Sequence, residues 1–370
     1  MRSNTKPQSK KIFPKIILVI VSLIFTLFLA EVVLRYVYFG DFSIATKTPD
    51  SKFIDSDEQL GWSNIPNSEG YFTDKKEGFN GYVNFDENGI RLNDNNFDNE
   101  GDAILILGDS LTAGLEVDNN ETYAAILERL LFENGCANRV YNAGVRGYGT
   151  DQSLWNMERL LDIIKPKYVI YMFCDNDFQD NKTIKQSNRE DGKPVFIFDE
   201  QKLTITNRPT KKLETNRYAF VTYDSSGYEI YEGDINESLR STMEFIKNNF
   251  ALYYPMNVLY QQLQISPMAT IETKAAYPDM EILELILKTM KRDDIELFFT
   301  SYPYEGEDVY IDNFIKISDR LGISYLNIFP YFTEQWENYH WMKDRHWNEK
   351  GHLKAATGLY ELLSPHLCDN

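Results

Sequence analysis

Three cysteines in 370 residues, Cys136, Cys174 and Cys368, are too few and too scattered to suggest a disulfide framework. No CxxC pair occurs, so a thiolate zinc site has no ligands to draw on. The three thiols are therefore expected to be small buried groups. Histidine is nearly as scarce. His340, His346, His352 and His366 are the four available imidazoles. Positive charge is short too: 38 Lys and Arg face 56 Asp and Glu, for a net charge of −18. A body that acidic repels phosphate backbones, which excludes nucleic acid as a partner. Other signatures are missing as well. There is no internal repeat and no Gly/Ser linker, no GK[ST] ending of a phosphate-cradling loop, and no G-x-S-x-G elbow. Around Asp94, Asn96 and Asp98 the glycine that a calcium loop needs is Asn99, so that stretch reads as solvated loop. No metal and no cofactor is called for.

Apolar residues make up 43% of the chain and aromatics 14%, which is enough for a large packed core. The longest apolar run is near the start. Residues 16–30, IILVIVSLIFTLFLA, carry no charge. As a helix they span about 22 Å, and Ile12, Phe13 and Val32 to Leu34 extend them toward the roughly 30 Å of a bilayer core. Lys15 can snorkel to one interface. Glu31 and Arg35 are spaced to pair on one helix face. Tyr36, Tyr38 and Phe39 supply an aromatic belt. The basic residues Arg2, Lys6, Lys10, Lys11 and Lys15 all precede the run, and no acid does. That asymmetry predicts a single-pass protein with a cytoplasmic N-terminus and a periplasmic or extracytoplasmic body, anchored in a bacterial inner membrane. A cleaved signal peptide is the rival reading, but Phe28-Leu29-Ala30-Glu31 lacks the small residue three back that A-x-A cleavage wants. No cysteine stands just after the run to accept a lipid.

Residues 1–40 are thus read as a basic tail and signal anchor. Residues 41–100 are polar and dense in turn signals, and read as an irregular lead-in with short strands packed on the main domain. From residue 101 to 370 strands alternate with helices: AILIL (103–107), a helix near 121–134, RVYNA (139–143), a helix near 151–164, and YVIYMF (168–173). After an insertion at about 178–275 come a helix at 279–291, IELFFT (295–300), a helix near 307–321, SYLNIF (324–329) and a last helix from about 349 to 363. Within the insertion, PVFIFDEQKLTIT predicts a hairpin and residues 236–264 show helical patterns. A βαβα order implies a parallel sheet sandwiched between helices.

The first core strand runs straight into Gly-Asp-Ser, in ILILGDSLTAG (104–114). Ser110 falls just past the strand's carboxyl end, where open α/β sheets present groups to ligands. Gly108 permits the tight turn. A serine there is either a cap or turn residue or a nucleophile. A nucleophilic serine needs a base. His346, in WMKDRHWNEKGH, stands between the fifth strand and the last helix. Asp344 lies two before it, on the same side of an extended chain, and Asn348 can cap the helix. His352 falls within that helix and reads as a surface or packing residue. Donors for a developing oxyanion follow the second and third strands: Gly147 in YNAGVRGYGT and Asn176 in FCDND. Tyr148, Tyr302, Tyr304 and Trp347 near the strand ends suit either a hydroxyl-rich substrate or the core.

With Ser110, Gly147, Asn176 and His346 in that order, the chain resembles the SGNH/GDSL hydrolase superfamily. The segments that carry the resemblance are GDSLTAG, NAGVRGYGTDQ, DND and DRHWNEKGH, spread from residue 108 to 352. It implies an α/β fold of flavodoxin-like, three-layer α/β/α type, and ester hydrolysis or acyl transfer. It implies Ser110 as nucleophile and His346 as base, with Asp344 orienting the imidazole. The oxyanion hole it implies is the Ser110 and Gly147 N–H groups with the Asn176 amide. Two residues depart from the family pattern. Cys174 replaces the glycine of G-x-N-D, and Lys343 stands three before His346, where the acid is usual. The D-x-H-W ending is similar to that of polysaccharide O-acetyltransferases. The anchor and the LGW…PN…NGIR stretch (60–91) are similar to anchored bacterial members. The function expected is a serine esterase acting on O-acyl or O-acetyl groups of envelope or extracellular carbohydrate. The alternatives are an O-acetyltransferase using the same triad, and a non-catalytic anchored scaffold.

Overall fold

The computed structural model describes residues 12–39, 47–75, 77–97, 101–185, 192–199, 202–210, 218–224, 227–233, 279–302, 310–341 and 345–368. The described residues fall in two compact units. The N-terminal helix belongs to one, and residues 48–233 and 279–368 to the other.

The first unit contributes α1, Ile12–Phe39. Within it Pro14–Val37 is a 24-residue stretch of mean hydropathy 2.9, long and apolar enough to cross a membrane. Arg35 Nε lies 2.9 Å from Glu31 Oε1, one turn apart, as the spacing predicts.

The second unit is built on a five-stranded sheet. Its strands are β5 (Ala103–Leu107), β6 (Arg139–Asn142), β7 (Tyr168–Phe173), β13 (Glu296–Ser301) and β14 (Ser324–Leu326). All neighbouring pairs are parallel, and the spatial order is β14-β13-β7-β5-β6. Counting the five in chain order, this is 2-1-3-4-5, the flavodoxin-like winding. The order reverses between β5 and β7, and that switch point opens a crevice at the strands' carboxyl ends.

Alternation along each strand explains the three layers. Ile104, Ile106, Ile170, Met172 and Phe298 point to one face. There they pack with Ala124, Leu127 and Leu131 of α3 (Tyr123–Glu133) and with Ala355, Leu359 and Leu363 of the last helix, α8 (Glu349–Leu367). Leu105, Leu107, Val169, Tyr171 and Phe299 point the other way. Their partners are Leu154 and Leu160 of α4 (Thr150–Ile164), Ile282 and Ile286 of α6 (Asp279–Met290), and Phe314 and Ile317 of α7 (Ile311–Leu321). Each fully buried Leu, Ile or Phe contributes about 1.5–3 kcal/mol.

The stretch before β5 is more regular than its polar composition suggests. It forms two hairpins, β1 (Ile54–Asp57) with β2 (Gly61–Asn64) and β3 (Glu69–Asp74) with β4 (Phe79–Asn84). Phe53, Trp62, Phe72, Phe79 and Phe85 are buried in the same core as α4 and α6. The predicted hairpin at the insertion is present as β9 (Val195–Asp199) and β10 (Lys202–Thr206). At its base the fully buried Lys193 donates to Asp151 Oδ2 at 2.6 Å in the first turn of α4. The helical patterns at 236–264 lie outside the described residues.

Three expectations need correction. Cys136 and Cys368 are not incidental thiols: they form a disulfide, with 5.2 Å between their Cα atoms. A sequence separation of 232 hides the pairing, but α3 and α8 lie side by side and bring their ends together. The predicted strand 324–329 stops at Leu326. Asn327 Oδ1 accepts the Phe329 N–H at 3.0 Å and starts a 3₁₀ turn at Phe329–Tyr331, in which Pro330 has no N–H to offer a sheet. The last helix runs four residues past its predicted end, to Leu367, because Leu363 and Leu367 are buried against the sheet.

Candidate active site

Ser110 opens α2 (Ser110–Ala113), a single turn directly after β5. Asp109 is its cap, with Oδ1 accepting the Leu111 N–H at 2.9 Å. The turn between strand and helix is tight. A Cβ at Gly108 would lie 2.3 Å from Thr112 Oγ1 and 3.0 Å from the Met172 carbonyl, so only glycine fits there.

Asp109 also gathers the neighbouring groups. Its Oδ2 lies 3.5 Å from Ser110 Oγ and accepts from Asn176 Nδ2 at 3.3 Å. Serine and asparagine thus meet on one carboxylate oxygen across the switch point between β5 and β7. Burial pushes the Asp109 carboxyl up. The Leu111 N–H, the charge of His346, the Asn176 amide and Arg146 pull it back. Asn176 donates as well to Asp180 Oδ2 at 2.9 Å, from the start of α5 (Asp177–Lys182).

Gly147 lies in the loop after β6, with φ of 74°, a left-handed conformation that favours glycine. The lead-in holds its flanks in place. Trp62 Nε1 donates to the Arg146 carbonyl at 3.0 Å, Tyr148 donates to the Trp62 carbonyl at 2.6 Å, and Asn64 Nδ2 donates to the Gly144 carbonyl at 3.0 Å. The arginine between them, Arg146, pairs with Glu116.

His346 is part-exposed, and its Nδ1 lies 3.6 Å from Glu116 Oε1. The histidine loop is closed by a bridge between His340 and Trp347, and by the Trp341 N–H donating to the His346 carbonyl at 3.2 Å. Asn348 Oδ1 caps α8, accepting from the Lys350 and Gly351 N–H groups at 3.0 and 3.1 Å. Asp344 lies outside the described residues. Ser110 and Asn176 meet at Asp109, His346 and the Gly147 loop meet at Glu116, and the charges of His346 and Arg146 reach Asp109.

Several other residues fill structural roles. His352 is buried, accepts the Tyr123 N–H at 3.2 Å and stacks on Tyr123, so it is a packing residue. Tyr148, Tyr302 and Trp347 are buried in the core rather than presented to the crevice, and Tyr304 lies outside the described residues. Cys174 is buried among Met172 and its neighbours, and burial holds its thiol well above the ordinary range, so it offers no thiolate nucleophile. Asp177 is buried too. It accepts from the Tyr171 hydroxyl and from the Cys174 N–H at 3.1 Å, and burial raises its carboxyl well above normal. Among the described residues no group of three His, Cys, Asp or Glu is placed to hold a metal ion.

Sequence reasoning missed Asp109, Glu116, Arg146 and Arg91. The signal for Glu116 was present: a lone acid between Leu115 and Val117, both buried. Arg91, in the NGIR stretch, is fully buried. Its Nη1 donates to the Ala113 and Gly114 carbonyls, its Nη2 to Val117 at 2.6 Å, and its Nε to Asn119 Oδ1 at 3.1 Å. Burial lowers its pKa to about 10, which leaves it charged. It clasps the loop that carries Glu116.

Over 75 residues the chain is 32% identical to esterase TesA of Pseudomonas aeruginosa, a match covering 20% of this chain and 37% of that protein. The match thus spans little more than a third of that relative's length. Among solved structures the chain is similar to a crystal structure of TesA, at 13% identity and a TM-score of 0.39, covering 71% of this chain and 98% of that one. It is similar to psychrotrophic esterase EstA from Pseudoalteromonas sp., inhibited by monoethylphosphonate, at 12% identity and a TM-score of 0.38, covering 72% and 98%. It is also similar to Clostridium thermocellum family 3 carbohydrate esterase, at 12% identity and a TM-score of 0.36, covering 72% and 98%. Residues 106–354 match the GDSL-like lipase/acylhydrolase family along their length, taking in Ser110, Gly147, Asn176 and His346. That span is well over half of the chain, and the protein belongs to the GDSL-like lipase/acylhydrolase family.

Proposed function

We propose that the protein is a membrane-anchored serine esterase that works through an acyl-serine intermediate. The observation that carries this reading is the meeting of Ser110 Oγ and the Asn176 amide on one oxygen of Asp109, with His346 close enough for its charge to act on that carboxyl. Ser110 attacks the ester carbonyl and its proton passes to His346 Nε2. The carbonyl oxygen becomes an oxyanion. It takes donors from Asn176, displacing a carboxylate that now occupies the amide, and from the Ser110 and Gly147 N–H groups. The C–O bond breaks, the alcohol leaves with the proton from His346, and Ser110 is acylated. Water then attacks the acyl group and gives its proton to His346; the acyl–Oγ bond breaks, Ser110 takes that proton from His346 and the acid leaves. Asp344 and Glu116 are the carboxylates available to orient the imidazole.

The substrate proposed is an O-acyl or O-acetyl ester of neutral, hydroxyl-rich envelope carbohydrate. The net charge of −18 disfavours anionic substrates. We place the body outside the cytoplasm. A helix that fits a bilayer follows four basic residues and holds a fifth, Lys15, at its start, and the Cys136–Cys368 disulfide belongs in an oxidising compartment.

Hydrolysis of p-nitrophenyl acetate, with labelling by a fluorophosphonate probe, tests the mechanism. Ser110→Ala is expected to abolish both. Asn176→Ala is expected to lower turnover on the order of 10²–10³-fold, the usual cost of one oxyanion donor. Wild-type rates in Ser110→Ala overturn the reading of Ser110 as nucleophile, and a wild type that neither labels nor turns over leaves a scaffold. Mass spectrometry of envelope glycans from a deletion strain then separates the chemistries: acetyl gained supports an esterase, and acetyl lost an O-acetyltransferase.

A further inference from the structure

The loop that follows the serine's helix carries a carboxylate that belongs to none of the motifs. Glu116 is 2% exposed. Its Oε1 accepts from Arg146 Nη1 and lies 3.6 Å from His346 Nδ1. Its Oε2 is buried with no hydrogen-bond partner. A buried carboxylate needs charge and donors around it. Arg146 supplies a paired cation and Arg91 a more distant one. A protonated His346 adds a further cation beside Oε1, at the moment when the imidazole holds the serine's proton.

We propose that Glu116 is a positioning residue for His346, holding Nδ1 so that Nε2 serves Ser110 and stabilising the imidazolium as it forms. This rests on the reading of His346 as the base. The separation of 3.6 Å is too long for a hydrogen bond, but a small ring rotation closes it, and catalytic hydrogen bonds commonly tighten only with substrate in place. The acid then comes from the loop after the nucleophile, with Arg91 fixing that loop by bonds to three of its carbonyls. Arg146 draws on the same Oε1 and so weakens the pull of Glu116 on the imidazole. It also ties the acid to the loop of Gly147, so base and oxyanion donor share one support.

Other charged groups face this cluster. Asp109 and His352 both feel the charge of His346. Arg91 feels that of Glu116, and Asp50 Oδ2 lies 3.7 Å from Arg146 Nε. Asp344 stands two residues before His346 in the sequence. All of them stay unchanged in Glu116→Gln and Arg146→Met.

The experiment is the pH profile of kcat/KM on p-nitrophenyl acetate, measured with the full-length protein in detergent. Glu116→Gln is expected to lower the apparent pKa of the base by about one pH unit, since an opposite charge at this range raises it by that order. Arg146→Met is expected to move it the other way, because Glu116 then acts on His346 alone. A Glu–Arg pair of purely structural value leaves the apparent pKa unmoved or shifts it alike in both variants, and either result overturns the proposal. So does a wild-type profile in Glu116→Gln while Asp344→Asn alone removes activity. If Glu116→Gln does not fold, Arg146→Met decides by itself: an upward shift supports the proposal, and a downward or absent shift overturns it. Wild-type turnover lost in Ser110→Ala, with the profile unmoved in Glu116→Gln, sinks this inference alone. No wild-type turnover sinks it together with the esterase reading.

Discussion

His352 shows how one side chain sets a pH limit. Burial lowers its pKa to about 3, with the charges of Arg91 and His346 adding to the effect. The unfolded chain takes up a proton near 6.5, and the folded chain does not until about 3. Its stabilisation is therefore fully present above 6.5 and is lost as pH falls between those values, by about 1.4 kcal/mol per pH unit. Asp109, Asp151 and Asp177 shift upward and act in the opposite sense, gaining stability as pH falls. Comparison with His352→Gln, which keeps an acceptor for the Tyr123 N–H, isolates the histidine. In urea titrations the wild type is expected to lose about 2 kcal/mol relative to the variant between pH 7 and pH 5. An unchanged gap at the two pH values would rule His352 out. Ser110, Gly147, Asn176 and His346 were readable in the sequence because each punctuates the end of a strand or the start of a helix. Arg91 was not, and Glu116 showed only as a lone acid between two apolar residues. Arg91 reaches carbonyls 22 and 26 residues on, Glu116 pairs with Arg146 30 residues on and meets His346 farther still, and only the fold brings them together.

At the scale of elements, β5 and β7 matched their predicted spans to the residue, since each is an apolar run that begins after a charged residue, Asp102 or Lys167, and ends just before Gly-Asp or Cys-Asp. The lead-in was harder to read. Its buried aromatics are single residues on short hairpins, each surrounded by Asn, Asp and Gly, and no long period announces them. The pairing of α3 with α8 leaves no local mark either, yet the disulfide between their ends ties the helix that follows His346 to the one that follows Ser110. Replacing Cys136 and Cys368 by serine is expected to lower unfolding free energy by about 2–4 kcal/mol. The same loss should appear when the wild type is reduced, and no further loss when the double variant is. A wild type insensitive to reductant in denaturant titrations would contradict the pairing.

At the scale of the whole molecule, a positively charged start, a helix apolar enough to cross a membrane and an acidic body follow one another along the chain. The proposed orientation predicts that protease added outside spheroplasts removes the body and spares an N-terminal tag. Protection of the body would reverse the topology. The family match begins at residue 106 and ends at 354, but the folded unit extends beyond both limits. Ahead of it stands Arg91, whose guanidinium is threaded into the loop behind the serine. Anyone transplanting this pocket onto a cousin's scaffold would have to carry the NGIR turn along as well. A chimaera joined at the motif itself would inherit the chemistry without the hand that holds it still.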